Sequence, residues 1–334
     1  MTAAGVTSHV SPLTIHVVVF VMPLLPLVQS RTLGSLRIHA LQAGLQQLDG
    51  GAMFGVVPKT LWERKIPADA RNRIPLGMRC LLIEHPDALV LVDTGAGNKE
   101  TEKFYGIYGI ENSPVGPAGP TQLESALAEA GFAPGDITMV IDSHLHFDHA
   151  GGNTRVGEGG HVELSFPNAT YVVRRGEWDW AHRTNERTAA SYFPHNYDPL
   201  REAGRLELVD ADVQLLKGIS LRRTPGHTPH HQGILVESGD ERLFYLADLA
   251  PTTSHVPLPW IMGYDVEPLV TLETKRALWA EASSEGWLMM FEHDATKLCG
   301  PAAAQMGLTH VSGDPVSTST VMACGGVPIC RSIV

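Results

Sequence analysis

The order of apolar and polar positions predicts short strands separated by turns in the first half of the chain. Two apolar runs, Cys80–Ile83 and Leu89–Val92, flank Pro86 and Asp87, a pattern that is typical of a β-hairpin. A third apolar run, Met139–Ile141, is short and continuous, as expected of a buried strand. These segments together predict a β-sheet.

Two other segments carry the signals of a helix. Thr121 is suited to begin a helix that ends at Ala130, because Glu124 completes a capping box and Gly131 provides a stop signal. A second helix is predicted over Pro268–Ala282. Strands that alternate with helices indicate an α/β fold.

A later segment, Gly233–Leu249, repeats the pattern of the first hairpin. In each copy the second apolar strand ends in an aspartate, Asp93 or Asp248. We therefore expect two similar halves packed face to face, with both aspartates near one central cleft.

The two ends of the chain differ from the middle. We assign residues 33–299 to one globular domain, and residues 1–32 and 300–334 to loosely ordered extensions. The apolar run Ile15–Val28 is too short to span a membrane. No Lys or Arg precedes it, so it is either the core of an export signal or a non-native extension.

Composition and charge indicate which binding partners and which cellular compartment to expect. The 334 residues are 43% hydrophobic and 18% charged, which is ordinary for a globular protein. A formal net charge of -11 argues against a nucleic-acid partner, which needs clustered Lys and Arg. The four cysteines are scattered and form no CxxC pair, so a disulfide scaffold is not expected and a cytoplasmic location is predicted.

The densest group of chemically active side chains is HLHFDHAGG, residues 144–152, directly after the short buried strand. Zinc favours imidazole nitrogen and carboxylate oxygen, with three or four protein ligands per ion. His144 and His146 are two residues apart and so point to the same side of an extended backbone, whereas Asp148 and His149 reach a neighbouring position. One loop can thus serve two metal ions about 3.5–4 Å apart.

Three further candidate ligands stand where later apolar strands end: His227, Asp248 and His293. An ionised Asp248 within an apolar strand needs a partner or a metal. Together with the loop, these residues make seven ligands that converge on one predicted sheet edge. His231 either orients a ligand through a hydrogen bond or is an ordinary turn residue.

The motif HLHFDHAGG resembles the HxHxDH signature of the metallo-β-lactamase superfamily. The segments TPGHTPHH, LFYLAD and FEH resemble its later ligand motifs in the same order, and VDTG resembles its structural aspartate turn. The resemblance implies an αββα sandwich, with two mixed β-sheets flanked by helices and the metals at the sheet edge. By position, it implies one metal on His144, His146 and His227, a second on Asp148, His149 and His293, and Asp248 as the bridge.

The resemblance also implies an enzyme. Two Zn²⁺ ions per chain, or other divalent metals, would share a water whose pKa falls towards about 7, so that a bridging hydroxide becomes the nucleophile. Asp148 would be the catalytic residue that orients this nucleophile and passes its proton to the leaving group.

Within the superfamily, the chain is similar to N-acyl homoserine lactonases and phosphotriesterases, which share the HxHxDHAGGN spelling and the PGHTP turn. This similarity implies a quorum-quenching type of hydrolase that acts on a small, largely apolar lactone, carboxylic ester or organophosphate. Those lactonases carry a tyrosine three residues after the bridging aspartate, where this chain has Pro251. Either another donor such as Tyr264 or His255 replaces it, or the substrate differs.

Two other functions remain open. A thioester hydrolase of the glyoxalase II type would need a cationic patch, for which Arg174, Arg175 and Lys297 are candidates. A non-catalytic or nucleic-acid-processing member of the superfamily is the third hypothesis. The acidic charge argues against nucleic acid, and a seven-ligand site with room for water argues against a non-catalytic role.

Two aromatic segments, residues 98–110 and 176–197, are predicted to set substrate choice. Their aromatic side chains suit a local cover or a homodimer interface equally well. The partner is expected to be a small molecule, with no nucleic acid and no membrane. The candidate substrate-binding residues are Phe54, Tyr192, Trp260, Tyr264 and His255.

Overall fold

The computed structural model describes residues 26–112, 120–157 and 159–302. Its strands are β1 Val28–Leu33, β2 Leu36–Asp49, β3 Arg73–His85, β4 Ala88–Val92, β5 Met139–Ile141, β6 Thr154–Val156, β7 Val162–Leu164, β8 Thr170–Arg174, β9 Leu206–Val209, β10 Val213–Leu216, β11 Ile219–Arg223, β12 Gln232–Ser238, β13 Glu241–Tyr245, β14 Leu288–Met290 and β15 Cys299–Pro301. Its α-helices are α1 Gly50–Phe54, α2 Lys59–Trp62, α3 Glu102–Tyr108, α4 Gln122–Ala130, α5 Phe147–Ala150, α6 Arg175–Ala181, α7 Asp198–Glu202 and α8 Pro268–Glu285.

The strands form two mixed sheets. The first has the order β1-β2-β3-β4-β5-β8-β9, with antiparallel pairing from β1 to β4 and parallel pairing from β4 to β9. The second has the order β10-β11-β12-β13-β14-β15, with a single parallel pair, β13 and β14. The small β6-β7 hairpin lies apart from both sheets.

The core between the sheets follows from the alternation of side chains along each strand. Leu81 and Ile83 of β3 are fully buried in one cluster with Ile234 and Val236 of β12. The intervening Leu82 points to the opposite face, where it belongs to the cluster that includes residues of α4. A period of two therefore gives each strand one side chain for the inner core and the next for an outer core.

Helices cover the outer face of each sheet. Leu123 and Leu127 of α4 pack against the first sheet, and Leu278 and Trp279 of α8 pack against the second. The result is a four-layered αββα arrangement, which confirms the predicted fold class.

The predicted local elements occur as expected. β3 and β4 form the first hairpin, with His85 paired to Ala88 across the turn at Pro86 and Asp87. Helix α4 has the full capping box of Thr121 and Glu124. The second helix is longer than predicted, because its stop signal is Gly286, which adopts the left-handed conformation.

Regular structure extends beyond both expected domain boundaries. β1 begins at Val28, inside the segment 1–32 that was assigned to an extension, because its backbone pairs with β2 along the whole strand. β15 likewise continues past residue 299 to Pro301. Residues 1–25, including most of the apolar run Ile15–Val28, and residues 303–334 lie outside the described part of the chain. In the part that is described, no helix combines the length and apolar character needed to cross a bilayer.

Candidate metal centre

The seven candidate ligands follow the ends of strands from both sheets. The loop after β5, together with α5, carries His144, His146, Asp148 and His149, and the turns after β11, β13 and β14 carry His227, Asp248 and His293. Each of the seven exposes at most 9% of its surface. The fold therefore brings together all seven predicted side chains, away from bulk water.

The side chains form two adjacent groups. Ligand-type atoms of the first group lie within 4.8 Å of one another, and so do those of the second. We call them the first cluster (His144, His146, His227 and Asp248) and the second cluster (Asp148, His149 and His293).

Asp248 lies between the two clusters. Its Oδ2 lies 3.0 Å from Nε2 of His227 and 3.9 Å from Nε2 of His144. Its Oδ1 lies 3.0 Å from Nε2 of His293. Asp248 is thus the side chain through which the two clusters meet.

The clusters contain buried nitrogen and oxygen atoms of the kind that bind a metal cation. Nε2 of His144 is buried without a hydrogen-bond partner within the described residues. Nε2 of His293 faces Nε2 of His149 at 3.2 Å, a contact in which two ring nitrogens compete for one proton. Imidazole and carboxylate donors gathered in this way fit divalent metal ions such as zinc.

In three of these rings, a neighbour holds the second nitrogen. Nδ1 of His149 lies 3.0 Å from Oδ2 of Asp93, and Nδ1 of His227 lies 3.0 Å from Oδ1 of Asp265. Nδ1 of His293 lies 2.6 Å from the carbonyl oxygen of Gly77. Contacts of this kind fix the tautomer and the orientation of a ligand.

The paired aspartates of the two hairpins meet at one histidine. Asp93 contacts Nδ1 of His149, and Oδ2 of Asp248 lies 3.6 Å from its Nε2. His231 accepts a hydrogen bond from the backbone N–H of Asp248 at 3.2 Å. His231 therefore orients the turn that carries Asp248.

Burial and neighbouring charges set the protonation of the metal-free rings. Burial and the adjacent histidines hold the pKa of His144 and of His146 well below the usual value. Burial would also lower the pKa of His293, but Asp248 and Glu292 outweigh it and raise that pKa to about 9. The rings of His144 and His146 are therefore neutral, which is the form that binds metal. His293 instead holds a proton that a metal must displace.

A pocket of about 340 Å³ opens over the two clusters. Its polar lining includes Gln46, Tyr108, Arg187 and Tyr264. Arg187 donates to the carbonyl oxygens of Gly263 and Asp265, so it holds the pocket wall. Its apolar lining includes Leu48, Met53, Leu76, Phe147, Met262 and Val266. The wall of the pocket is therefore largely apolar, with polar side chains at a few positions.

Only Tyr264, among the five predicted substrate-binding residues, lines this pocket. Phe54 and His255 are buried and stack on each other with ring centres 4.6 Å apart. Trp260 meets the edge of Phe54. These three rings lie behind the residues that line the pocket, so their contact with substrate stays a prediction.

Hydrogen bonds bear on two further expectations, namely that Tyr192 binds substrate and that His255 replaces the tyrosine missing at Pro251. Tyr192 is buried, and its hydroxyl donates to Glu177 at 2.8 Å, so its ring supports His146 from behind. His255 cannot replace the donor missing at Pro251, because its ring nitrogens lie 2.8 Å from Thr252 Oγ1 and 2.8 Å from the carbonyl of Met53.

The two predicted specificity segments do reach the pocket. Residues 98–110 contribute Tyr108, and residues 176–197 contribute Arg187, Thr188, Ala190 and Ser191. Most of their aromatic side chains pack locally, as Phe104 does against Phe147 and Phe193.

Sequence reasoning missed four residues near the clusters: Gln46, Tyr108, Glu177 and Glu292. Glu292 could have been found, because it is an acidic residue at the end of an apolar strand, like Asp248. Its Oε2 lies 3.1 Å from Nδ1 of His149 and accepts a hydrogen bond from Tyr245 at 2.6 Å.

Two facing mixed sheets with buried histidine and aspartate clusters at one edge define the class of αββα metallohydrolases. The sequence model of the metallo-beta-lactamase superfamily matches residues 75–284. The chain belongs to that superfamily and is a hydrolase.

Known proteins refine this assignment. An N-acyl homoserine lactonase of Bacillus cereus is 28% identical over 232 residues, which cover 67% of this chain and 83% of the lactonase. A probable metal-dependent hydrolase from Staphylococcus aureus superposes with a TM-score of 0.74 at 31% identity, covering 81% of this chain and 94% of the other. AidC, a dizinc quorum-quenching lactonase, shares the fold with a TM-score of 0.67 at 23% identity, covering 82% and 92%.

Proposed function

We propose that this protein is a dinuclear zinc hydrolase that cleaves a small, largely apolar lactone, carboxylic ester or organophosphate. The observation that carries the proposal is the position of Asp248, whose carboxylate contacts histidines of both clusters at the floor of a mainly apolar pocket. The proposed ligands are His144, His146 and His227 for one ion, Asp148, His149 and His293 for the other, and Asp248 for both.

Two bound divalent ions would supply the Lewis acidity that activates water and polarises the scissile carbonyl or phosphoryl group. Asp148 lines the pocket, and its Oδ2 accepts a hydrogen bond from Gln46 at 2.7 Å. The carboxylate of Asp148 is thereby held where it can take up the proton of the attacking water and return it to the leaving oxygen.

Two tyrosines extend the site towards the substrate. Both line the pocket, and the hydroxyls of Tyr108 and Tyr264 make no hydrogen bond to any residue that the structure describes. Burial, together with Tyr108, Asp49 and Asp148, raises the pKa of Tyr264 to about 12. The phenol therefore stays protonated at neutral pH. We propose that its O–H donates a hydrogen bond to an oxygen of the substrate, in place of the tyrosine that the similar lactonases carry where this chain has Pro251.

The thioester alternative has less support in the structure. Arg174 pairs with Asp212 at 2.9 Å and Arg175 pairs with Asp210 at 2.7 Å. Neither of them, nor Lys297, lines the pocket. Arg187 does line the pocket, but its guanidinium already donates to the carbonyl oxygens of Gly263 and Asp265, so the carboxylates of a glutathione thioester would find a cation that is engaged elsewhere.

Elemental analysis combined with a substrate panel tests this proposal. We expect two metal ions per chain in protein purified without chelator, and turnover of lactones, aryl esters or phosphotriesters by the zinc-loaded enzyme. A reproducible content of one ion or fewer would overturn the dinuclear centre. Turnover of thioesters alone would favour the glyoxalase II type of activity.

A further inference from the structure

Glu177 is a buried carboxylate close to the first cluster. It lies in the first turn of α6 and exposes 1% of its surface. Within the described residues it forms no ion pair, and three neutral groups donate to it instead. A buried charge is costly, so its place here depends on those donors.

The three donors come from three different segments of the chain. The backbone N–H of Leu145 donates to Oε1 at 3.1 Å, and the hydroxyl of Tyr192 donates to the same oxygen at 2.8 Å. The hydroxyl of Thr228 donates to Oε2 at 2.7 Å. One carboxylate thus joins the HLHFDH loop, the 176–197 segment and the PGHT turn.

Each donor is adjacent to a ligand of the first cluster. Leu145 stands between His144 and His146 in the sequence, and Thr228 directly follows His227. The ring of Tyr192 meets that of His146 edge-on, with centres 4.6 Å apart. Fixing these three donors therefore fixes the relative positions of the first-cluster histidines.

We propose that Glu177 is the positioning residue of the first cluster, and that it sets the metal affinity of that cluster separately from the second. This inference rests on the proposed dinuclear centre.

The second cluster has supports of its own. His149 is held by Asp93, His293 by the carbonyl of Gly77, and Asp148 by Gln46. None of these contacts involves Glu177 or its donors. A change at Glu177 should therefore have little effect on zinc binding at the second cluster.

Zinc affinity measured one cluster at a time provides the test. In a His293→Ala background the first cluster is intact, and in a His227→Ala background the second is intact. We expect Glu177→Gln to weaken zinc binding about 10-fold or more in the first background, because loss of a partner that orients ligands costs about 10–100-fold in affinity. In the second background the change should stay within about twofold. A chromophoric chelator in competition with the protein reports both values.

Tyr192→Phe and Thr228→Val keep the carboxylate and remove one donor each, so they test the same idea if Glu177→Gln folds poorly. Each should weaken the first cluster alone. Glu124→Gln is the matched control, because Glu124 also accepts a backbone N–H but belongs to the cap of α4.

Unchanged zinc affinity in all three variants would overturn the inference, and so would equal losses at both clusters. Wild-type protein that binds no zinc at either cluster would instead overturn the proposed function.

Discussion

The side-chain amide of Gln46 donates a hydrogen bond to Oδ2 of Asp148 across 2.7 Å, although 102 residues separate the two in sequence. Gln46 lies in β2 and is fully buried, yet it lines the pocket. A strand that contributes no candidate ligand thus determines how the proposed proton carrier is oriented.

Gln46→Leu should lower kcat about 10-fold or more while both metals are retained, because Asp148 loses the donor that fixes its orientation. Steady-state kinetics beside metal analysis provides the measurement. Gln47→Leu is the control, since Gln47 is the next residue of β2 and does not line the pocket. Equal activity in the Gln46 variant and the wild type would mean that this hydrogen bond has no part in turnover.

Asp148→Asn should mainly reduce kcat, by about 10²–10⁴-fold, because the amide keeps the shape and one oxygen but cannot take up a proton. Metal content should fall less than activity. A fully active Asp148→Asn protein would require another base for the reaction.

Asp248→Asn should release metal and lower stability as well as activity, because one negative charge that faces both clusters is removed. Elemental analysis and thermal unfolding of the same preparation separate these effects. If the variant held two metals and remained fully active, Asp248 would not be the bridge.

Removal of metal by a chelator should lower Tm, and added zinc should restore it in a concentration-dependent manner. Zinc at 100 times its dissociation constant stabilises the folded state by about 2.7 kcal/mol per site. The His293→Ala variant keeps only the first cluster intact, so added zinc should raise its Tm by less than it raises the Tm of the wild type. A Tm that does not respond to zinc in the wild type would contradict metal binding in the folded state.

Tyr264→Phe should raise KM or lower kcat for substrates with an oxygen acceptor, because the phenol donor is lost while the ring remains. The loss should be smaller on a phosphorothioate than on the corresponding phosphotriester, since sulfur is the weaker hydrogen-bond acceptor. Tyr197→Phe, which removes a buried hydroxyl outside the pocket lining, is the control. Identical losses on both substrates would argue against a hydrogen bond from Tyr264.

The sequence was sufficient where the determinants are local. The four candidate ligands after β5 are close neighbours in the chain, and the cap of α4 spans four residues, so pattern alone indicated that each group lies together. His227, Asp248 and His293 required only the additional expectation that strand ends converge at one edge of a sheet.

Contacts across the fold could not be predicted in this way. Nothing in the apolar-polar pattern of β2 distinguishes Gln46 from Gln42, yet only Gln46 contacts Asp148. For Phe54 and His255, which face of the aromatic pair meets the pocket depends on the packing of α1 against the turn after β13, and the sequence pattern does not show that packing.

The separation of the ligands along the chain also bears on synthesis. His149 and His293 lie 144 residues apart, although their ring nitrogens are 3.2 Å apart in the folded protein. A nascent chain that has just exposed the HLHFDH loop still lacks His227, Asp248 and His293. The first cluster is complete only when Asp248 has left the ribosome and the second only when His293 has, so neither cluster can guide the first steps of folding during synthesis.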